Sequence, residues 1–188
     1  MKKSFALALS LTIFILLLSI CSCNDRDNVQ NSSAPSRSQQ ENSTIHVDGI
    51  DADVEYTFVT GEMGYTIGYD KSRFKRSAVD GKDVFSSNDS AKLEISLSDG
   101  KTVDASVEQF RVQMVDGGMT VSESKSVTVG TEYYSARYLS AEGVESKCEC
   151  YFIPVENECL VLTFCFSENT GDGDKARLLA MLDTLTIA

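Results

Sequence analysis

The sequence predicts an α+β domain, a central and largely antiparallel β-sheet flanked by α-helices. Three observations predict it. Short β-branched and aromatic runs alternate between apolar and polar residues, as at Tyr65, Ile67 and Tyr69 or at Leu93, Ile95 and Leu97. Two segments carry apolar residues at helical spacing, Val103 with Val107, Phe110 and Met114, and Leu178 with Met181, Leu182 and Leu185. Two further runs, 144–153 and 159–166, flank a short connection that fits an antiparallel hairpin.

Composition narrows the function before any element is placed. The chain has 188 residues, enough for one domain with accessory segments. At 42% hydrophobic and 24% charged it is too apolar for wholesale disorder. The net charge of −11 disfavours nucleic acid, which selects clustered Lys and Arg. His46 is the one His, so histidine-rich metal centres are excluded by count. A Ser-His-Asp or Cys-His arrangement would have to use His46, which sits in a polar stretch ahead of the first clear strand.

The first 22 residues read as an export signal. Lys2 and Lys3 precede an uncharged run, Phe5 to Ile20 being mostly Leu, Ile, Ala and Phe. The run ends Ser19-Ile20-Cys21-Ser22-Cys23, which resembles the lipobox of bacterial lipoproteins. That resemblance implies acylation of the cysteine that becomes the first mature residue. Cys23 is favoured because Ser22 supplies the small residue before it; Cys21, preceded by the bulkier Ile20, is the alternative. A plain cleaved signal and an uncleaved anchor also fit a run of this length. Each buried methylene contributes about 0.8 kcal/mol, so more than one acyl chain holds a protein on a membrane without a spanning helix. Loss of Lys2 and Lys3 leaves the mature chain still more acidic, and anionic headgroups repel such a body.

Residues 23–44 are rich in Ser, Asn, Gln and Asp and cannot bury enough apolar area to offset ordering. They read as a disordered tether beginning at the lipidated Cys23. Residues 45–188 read as one domain. Its strands are placed at 54–60, 65–69, 83–86 and 93–97. A helix capped by Asp104 then runs to Gly117-Gly118, and strands follow at 119–129 and 132–139. The hairpin 144–153 and 159–166 turns at Glu156-Asn157, and a closing helix covers 174–185.

The stretch Gly64-Tyr65-Thr66-Ile67-Gly68-Tyr69-Asp70 with Lys71-Ser72-Arg73-Phe74 resembles the opening strand and turn of PsbP-like domains. The similarity continues through the helix expected from Asp104 to Val115, then Ser126-Val127-Thr128-Val129-Gly130 and Tyr134-Ser135-Ala136-Arg137-Tyr138. It ends at Tyr151-Phe152-Ile153-Pro154, Leu160-Val161-Leu162-Thr163-Phe164 and the Leu-rich terminus, and so covers residues 54–187. The family is named after an extrinsic subunit of the photosystem II oxygen-evolving complex. The resemblance implies an α/β/α sandwich and an accessory role more often than an enzymatic one. Its bacterial members include small envelope lipoproteins. No residue motif here licenses the photosynthetic role, and fold alone does not decide function.

Cys148, Cys150, Cys159 and Cys165 all fall on the hairpin. With the turn at Glu156-Asn157, Cys148 lies opposite Cys165, Cys150 opposite Thr163 and Pro154 opposite Cys159. Alternation places all four thiols on one sheet face. A Cys148–Cys165 disulfide, free buried thiols and a four-thiolate metal site using Cys148, Cys150, Cys159 and Cys165 are the three readings. The metal reading is the weakest, because a flat sheet spreads its ligands. Lys147 is the neighbouring cation, and its side chain is expected on the other face. Asp172 and Asp174 fit a helix N-terminus better than a calcium loop, and Asp48, Asp51 and Asp53 fit a solvated edge. Tyr133, Tyr134, Tyr138 and Tyr151 fit packing on half-buried strands.

The expected function is that of an exported, membrane-anchored lipoprotein of the bacterial envelope. Its placement is the outer face of the cytoplasmic membrane, with the outer membrane as alternative. Its domain is expected to bind an envelope protein or a small ligand, not to catalyse, with no cofactor and no nucleic-acid partner. A thiol or metal-binding protein and a small-molecule carrier are the alternatives. The carrier requires a pocket between sheet and helix beneath Phe110 and Met114.

Overall fold

The computed structural model describes residues 40–47, 50–87 and 91–188. The leader with Cys21 and Cys23, the tether as far as residue 39, and Asp48 lie outside the described residues. Two antiparallel sheets form the domain. The smaller contains β1 (Gln40–Val47), β2 (Ile50–Thr60), β3 (Tyr65–Tyr69) and β12 (Thr186–Ile187), in that order. The larger runs β4 (Lys75–Val79), β5 (Lys82–Ser86), β6 (Ala91–Leu97), β11 (Glu158–Ser167), β10 (Ser146–Val155) and β9 (Tyr134–Glu142). Its β7 (Thr120–Val121) and β8 (Lys125–Val129) both pair with β9. The helices are α1 (Val103–Asp116) and α2 (Asp172–Ala180), the latter running into a 3-10 turn at Met181–Thr184.

These findings overturn the expected α/β/α sandwich. The described residues are mostly strand, with two short helices among them. The strands at 54–60 and 65–69 exist, but they leave the main sheet and make a second one with β12. That second sheet fills the layer in which a helical covering was expected. Local alternation marks a strand without saying which sheet it joins. Main-chain pairing also reaches upstream to Gln40, opposite Thr57, into the stretch read as tether. Ladder bonds need no apolar side chains, so polarity alone did not disclose β1.

Other boundaries moved for local reasons. The N-cap of α1 is Thr102, whose side chain accepts from Ala105 N; Asp104 instead occupies the first turn, where the helix dipole favours an acid. The closing helix ends at Ala180, and Leu185 is already extended, which frees β12 to pair with β3. The single strand expected at 119–129 divides into β7 and β8. Strand β4 went unread because all of its residues are exposed and carry no alternation. Asp80 and Gly81, both at positive φ (51° and 74°), make the tight turn into β5.

The larger sheet is buried on both faces near its centre. One face shares a core with the smaller sheet and α2, uniting Tyr65, Ile67, Phe85, Leu93, Leu162, Phe164, Leu178 and Met181. The other lies under α1, where Val107 and Phe110 pack on Leu139, Ala141, Phe152 and three buried cysteines. A polar triad with a buried Tyr65–Asp83 pair and an outward Arg76 also joins the sheets. The Tyr65 hydroxyl on β3 donates to Asp83 Oδ2 on β5 at 2.5 Å. Arg76 on β4 holds Asp83 Oδ1 through Nε at 2.9 Å and Nη2 at 2.8 Å. Gly130 is needed at the β8–β9 turn: its φ is +76°, and a Cβ there would stand 2.6 Å from Leu185 O.

Tyr65→Phe strips a buried carboxylate of one donor, and we expect a loss of about 2 kcal/mol in urea unfolding. An unchanged midpoint would refute the bracing role. Burial first, then the Asp183 and Asp70 carboxylates, push the Tyr56 phenol from 10.0 up to about 12. Burial and the bond to Asp83 move Tyr65 the same way. A raised phenol keeps its proton longer folded than unfolded, so this stabilisation is complete below pH 10 and lost as pH climbs through about 12. Thermal unfolding should show Tm falling from pH 10 upward; a level profile across that window contradicts the assignment.

Candidate functional site

The outer face of the larger sheet is only partly roofed. Helix α1 lays Val103, Val107, Phe110 and Met114 toward β7, β9, β10 and β11. Phe110 meets Phe152 edge-on, with ring centroids 5.8 Å apart. Beside the helix a groove of about 370 Å³ opens toward β5 and β6. Phe110, Met114, Phe152 and Val161 give it an apolar floor. Glu94, Ser96 and Thr163 rise from the strands, and Gln109 and Gln113 from the helix. The space directly beneath Phe110 is packed by Phe152, and the opening lies beside the helix, toward β6.

The charges in the groove are largely matched. Glu94 accepts from Lys92 at 2.7 Å and from Lys82 at 3.4 Å. Burial opposes its ionisation, but the two ammonium groups outweigh this and hold Glu94 below the usual carboxylate range. Lys101 Nζ donates to Gln109 Oε1 at 2.8 Å. A ligand here would meet hydroxyls, amides and an aromatic floor under little net field. The volume falls in the range of small-molecule sites.

The hairpin register is as expected from sequence: Cys148 opposes Cys165, Cys150 opposes Thr163, and Pro154 opposes Cys159. All four thiols pack in the cluster beneath α1. They do not converge, and among the described residues no group of three or more His, Cys, Asp or Glu could hold a metal ion. Each thiol is free and has its own surroundings. Cys150 is fully buried beside Thr163 Oγ1 at 3.4 Å, and burial pushes its thiol well up. Burial likewise pushes Cys159 up to about 11, against a bond from Ser106 on α1.

Cys148 and Cys165 form a distinct pair. Their Sγ atoms lie 2.9 Å apart. The S–H of Cys165 lowers the Cys148 thiol and Lys92 helps, while burial opposes. Cys165 moves up in turn, through the same hydrogen bond and its own partial burial. The pair therefore favours one thiolate and resists two. Lys92 on β6 faces Cys165 across the ladder. Sequence reasoning missed this lysine because the pairing of β6 with β11 brings together residues 73 positions apart in sequence (92 and 165). Lys147 does lie apart from the thiols, pairing with Glu149 at 3.3 Å.

Several other residues singled out from sequence have local partners. Asp172 and Asp174 occupy the first turn of α2, and Asp174 also meets Arg73 at 3.6 Å. Asp53 accepts from Thr44 Oγ1 at 3.1 Å. Tyr138 and Tyr151 pack with ring centroids 5.0 Å apart. Tyr134 binds the backbone of Ile187 and pins β12, while Tyr133 is 79% exposed at the turn. His46 sits on β1 opposite Asp51. Among the described residues no helix is long and apolar enough to cross a membrane.

Iodoacetamide treatment of the reduced, folded protein should label Cys165 and Cys148 well before Cys150 and Cys159. Peptide mapping of the alkylated chain reads the order. Equal labelling of all four would show that α1 does not shield its floor.

No family model matches the chain. No curated protein matches it. A crystal structure from Bacteroides thetaiotaomicron VPI-5482 aligns at 13% identity with a TM-score of 0.46. The alignment covers 70% of this chain and 47% of that one, so the chain spans under half the length of the solved structure.

Proposed function

We propose that the protein is an exported envelope lipoprotein, anchored through Cys23, whose β-rich domain works by binding a ligand in the groove beside α1. The observation that carries the binding role is the partial roof. Helix α1 packs on β9 and β10 but leaves Phe152 of β10, Val161 and Thr163 of β11 and Ser96 of β6 lining an opening of about 370 Å³. The leader supports the location: two lysines, an uncharged run, and Ser22-Cys23. The ligand class that suits the lining is a small polar molecule with one apolar face. Hydroxyl and amide groups would set its orientation, and Phe110 with Phe152 would cover its apolar side.

Two variants separate anchoring from binding. Cys23→Ala should remove the acyl mass, read by intact-mass analysis of the membrane fraction. Val161→Trp should fill the groove and abolish retention of a ligand recovered from detergent-solubilised envelopes, with the fold intact by circular dichroism. A mature chain without an acyl group in the cytosol would defeat the first half. Retention unaffected by Val161→Trp, or turnover of a substrate lost on a single side-chain change, would defeat the second.

A further inference from the structure

We infer that Cys148 and Cys165 are a redox pair that closes to a cross-strand disulfide when the protein meets a disulfide oxidant. Three independent features of the hairpin support this. The first is register, since the two residues are direct partners on adjacent strands. The second is the type of pair. The two-residue turn makes Val155 and Glu158 a hydrogen-bonded pair, and the types then alternate down the ladder. Cys159 confirms the phase: its N–H donates to Ser98 Oγ and its carbonyl accepts from Ser98 N, so its backbone faces β6. Cys165 has the same parity. Cys148–Cys165 is therefore a non-hydrogen-bonded pair, whose Cα atoms approach to about 4.5 Å, inside the span a disulfide bridges.

The third feature is surroundings. The thiols already touch, at 2.9 Å, beside the Lys92 ammonium. Cys165 is partly exposed, whereas Cys150 and Cys159 are fully buried and lie opposite Thr163 and Pro154. Cys148 is buried too, so the pair is matched in register and open to solvent through Cys165.

The chemistry balances as exchange. A thiolate of the pair attacks one sulfur of the oxidant disulfide, forming a mixed disulfide and releasing one thiolate. The second cysteine of the pair attacks the mixed disulfide, closes the Cys148–Cys165 bond and releases the other thiolate. Two electrons pass to the oxidant, and the two protons lost by the pair end on the released thiols. The inference rests on the hairpin and its neighbour β6, and stands whether or not the chain is exported.

The test uses the full-length chain in detergent, first reduced, then equilibrated with excess oxidised glutathione and alkylated. Peptide mapping should find the 148 and 165 peptides joined, with two hydrogens lost and Cys150 and Cys159 still alkylated. Cys165→Ser and Cys148→Ala should each abolish the link, while Cys150→Ala keeps it. Oxidation should also raise Tm in the parent chain and not in Cys165→Ser. Full alkylation of both cysteines after oxidation, arrest at a glutathione adduct, or a main cross-link through Cys150 or Cys159 would each overturn the inference.

Discussion

The fold depends on a hairpin that is buried on both of its faces. Strands β10 and β11 lie at the centre of the larger sheet, and each must supply two cores at once. On β11 the side chains of Leu160, Leu162, Phe164 and Phe166 serve one core. Those of Cys159, Val161 and Cys165 serve the other. A slip of one residue would exchange these sets and place Thr163 among the leucines. The turn at Glu156-Asn157 prevents this by fixing the register at the hairpin's closed end. Everything assigned to the outer face, groove and thiol pair alike, inherits its position from that register.

The second layer follows from what the hairpin cannot do. Its inner face is too broad for one short helix, and the smaller sheet covers most of what α2 leaves. Apolar burial brings the layers together without orienting them, because hydrophobic contact is non-directional. The Tyr65–Asp83–Arg76 triad adds direction. A carboxylate buried to this degree is costly unless all its bonds are made, so only one alignment of β3 against β4 and β5 satisfies it. The closing strand is fixed in a similar way, through Tyr134 and the backbone of Ile187.

What the sequence disclosed was local, and what it withheld was non-local. The register of β10 and β11 was readable because two residues of turn set ten pairs, the four cysteines included. The stripe of α1 was readable from helical spacing, and Phe110 and Val107 are buried accordingly. The division into two sheets was not, since nothing in residues 54–60 says whether they join the strand at 93–97 or turn away from it. Strand β4 was hidden because an edge strand is kept polar, and Lys75 and Arg76 guard that edge. Yet Asp80-Gly81 is a strong hairpin signal that alternation alone overlooks. Lys92 was the main loss at the candidate site. Its relation to Cys165 exists only because β6 and β11, distant in sequence, are neighbours.

The groove and the thiol pair share one strand. Thr163 lines the opening, and Cys165 lies two residues further along the same face of β11. Lys92 touches both, through its bond to Glu94 in the groove and its place opposite Cys165. A bond closed at Cys148–Cys165 would therefore stiffen the strand that presents Thr163 and remove the thiolate that Lys92 partly neutralises, leaving that ammonium to Glu94 alone. Linkage then sets a strict condition. If a ligand binds the disulfide form more tightly by some factor, the bound protein must favour oxidation by the same factor. Because the register is already fixed by the turn, such coupling would act through order and charge, without a rearrangement of the fold.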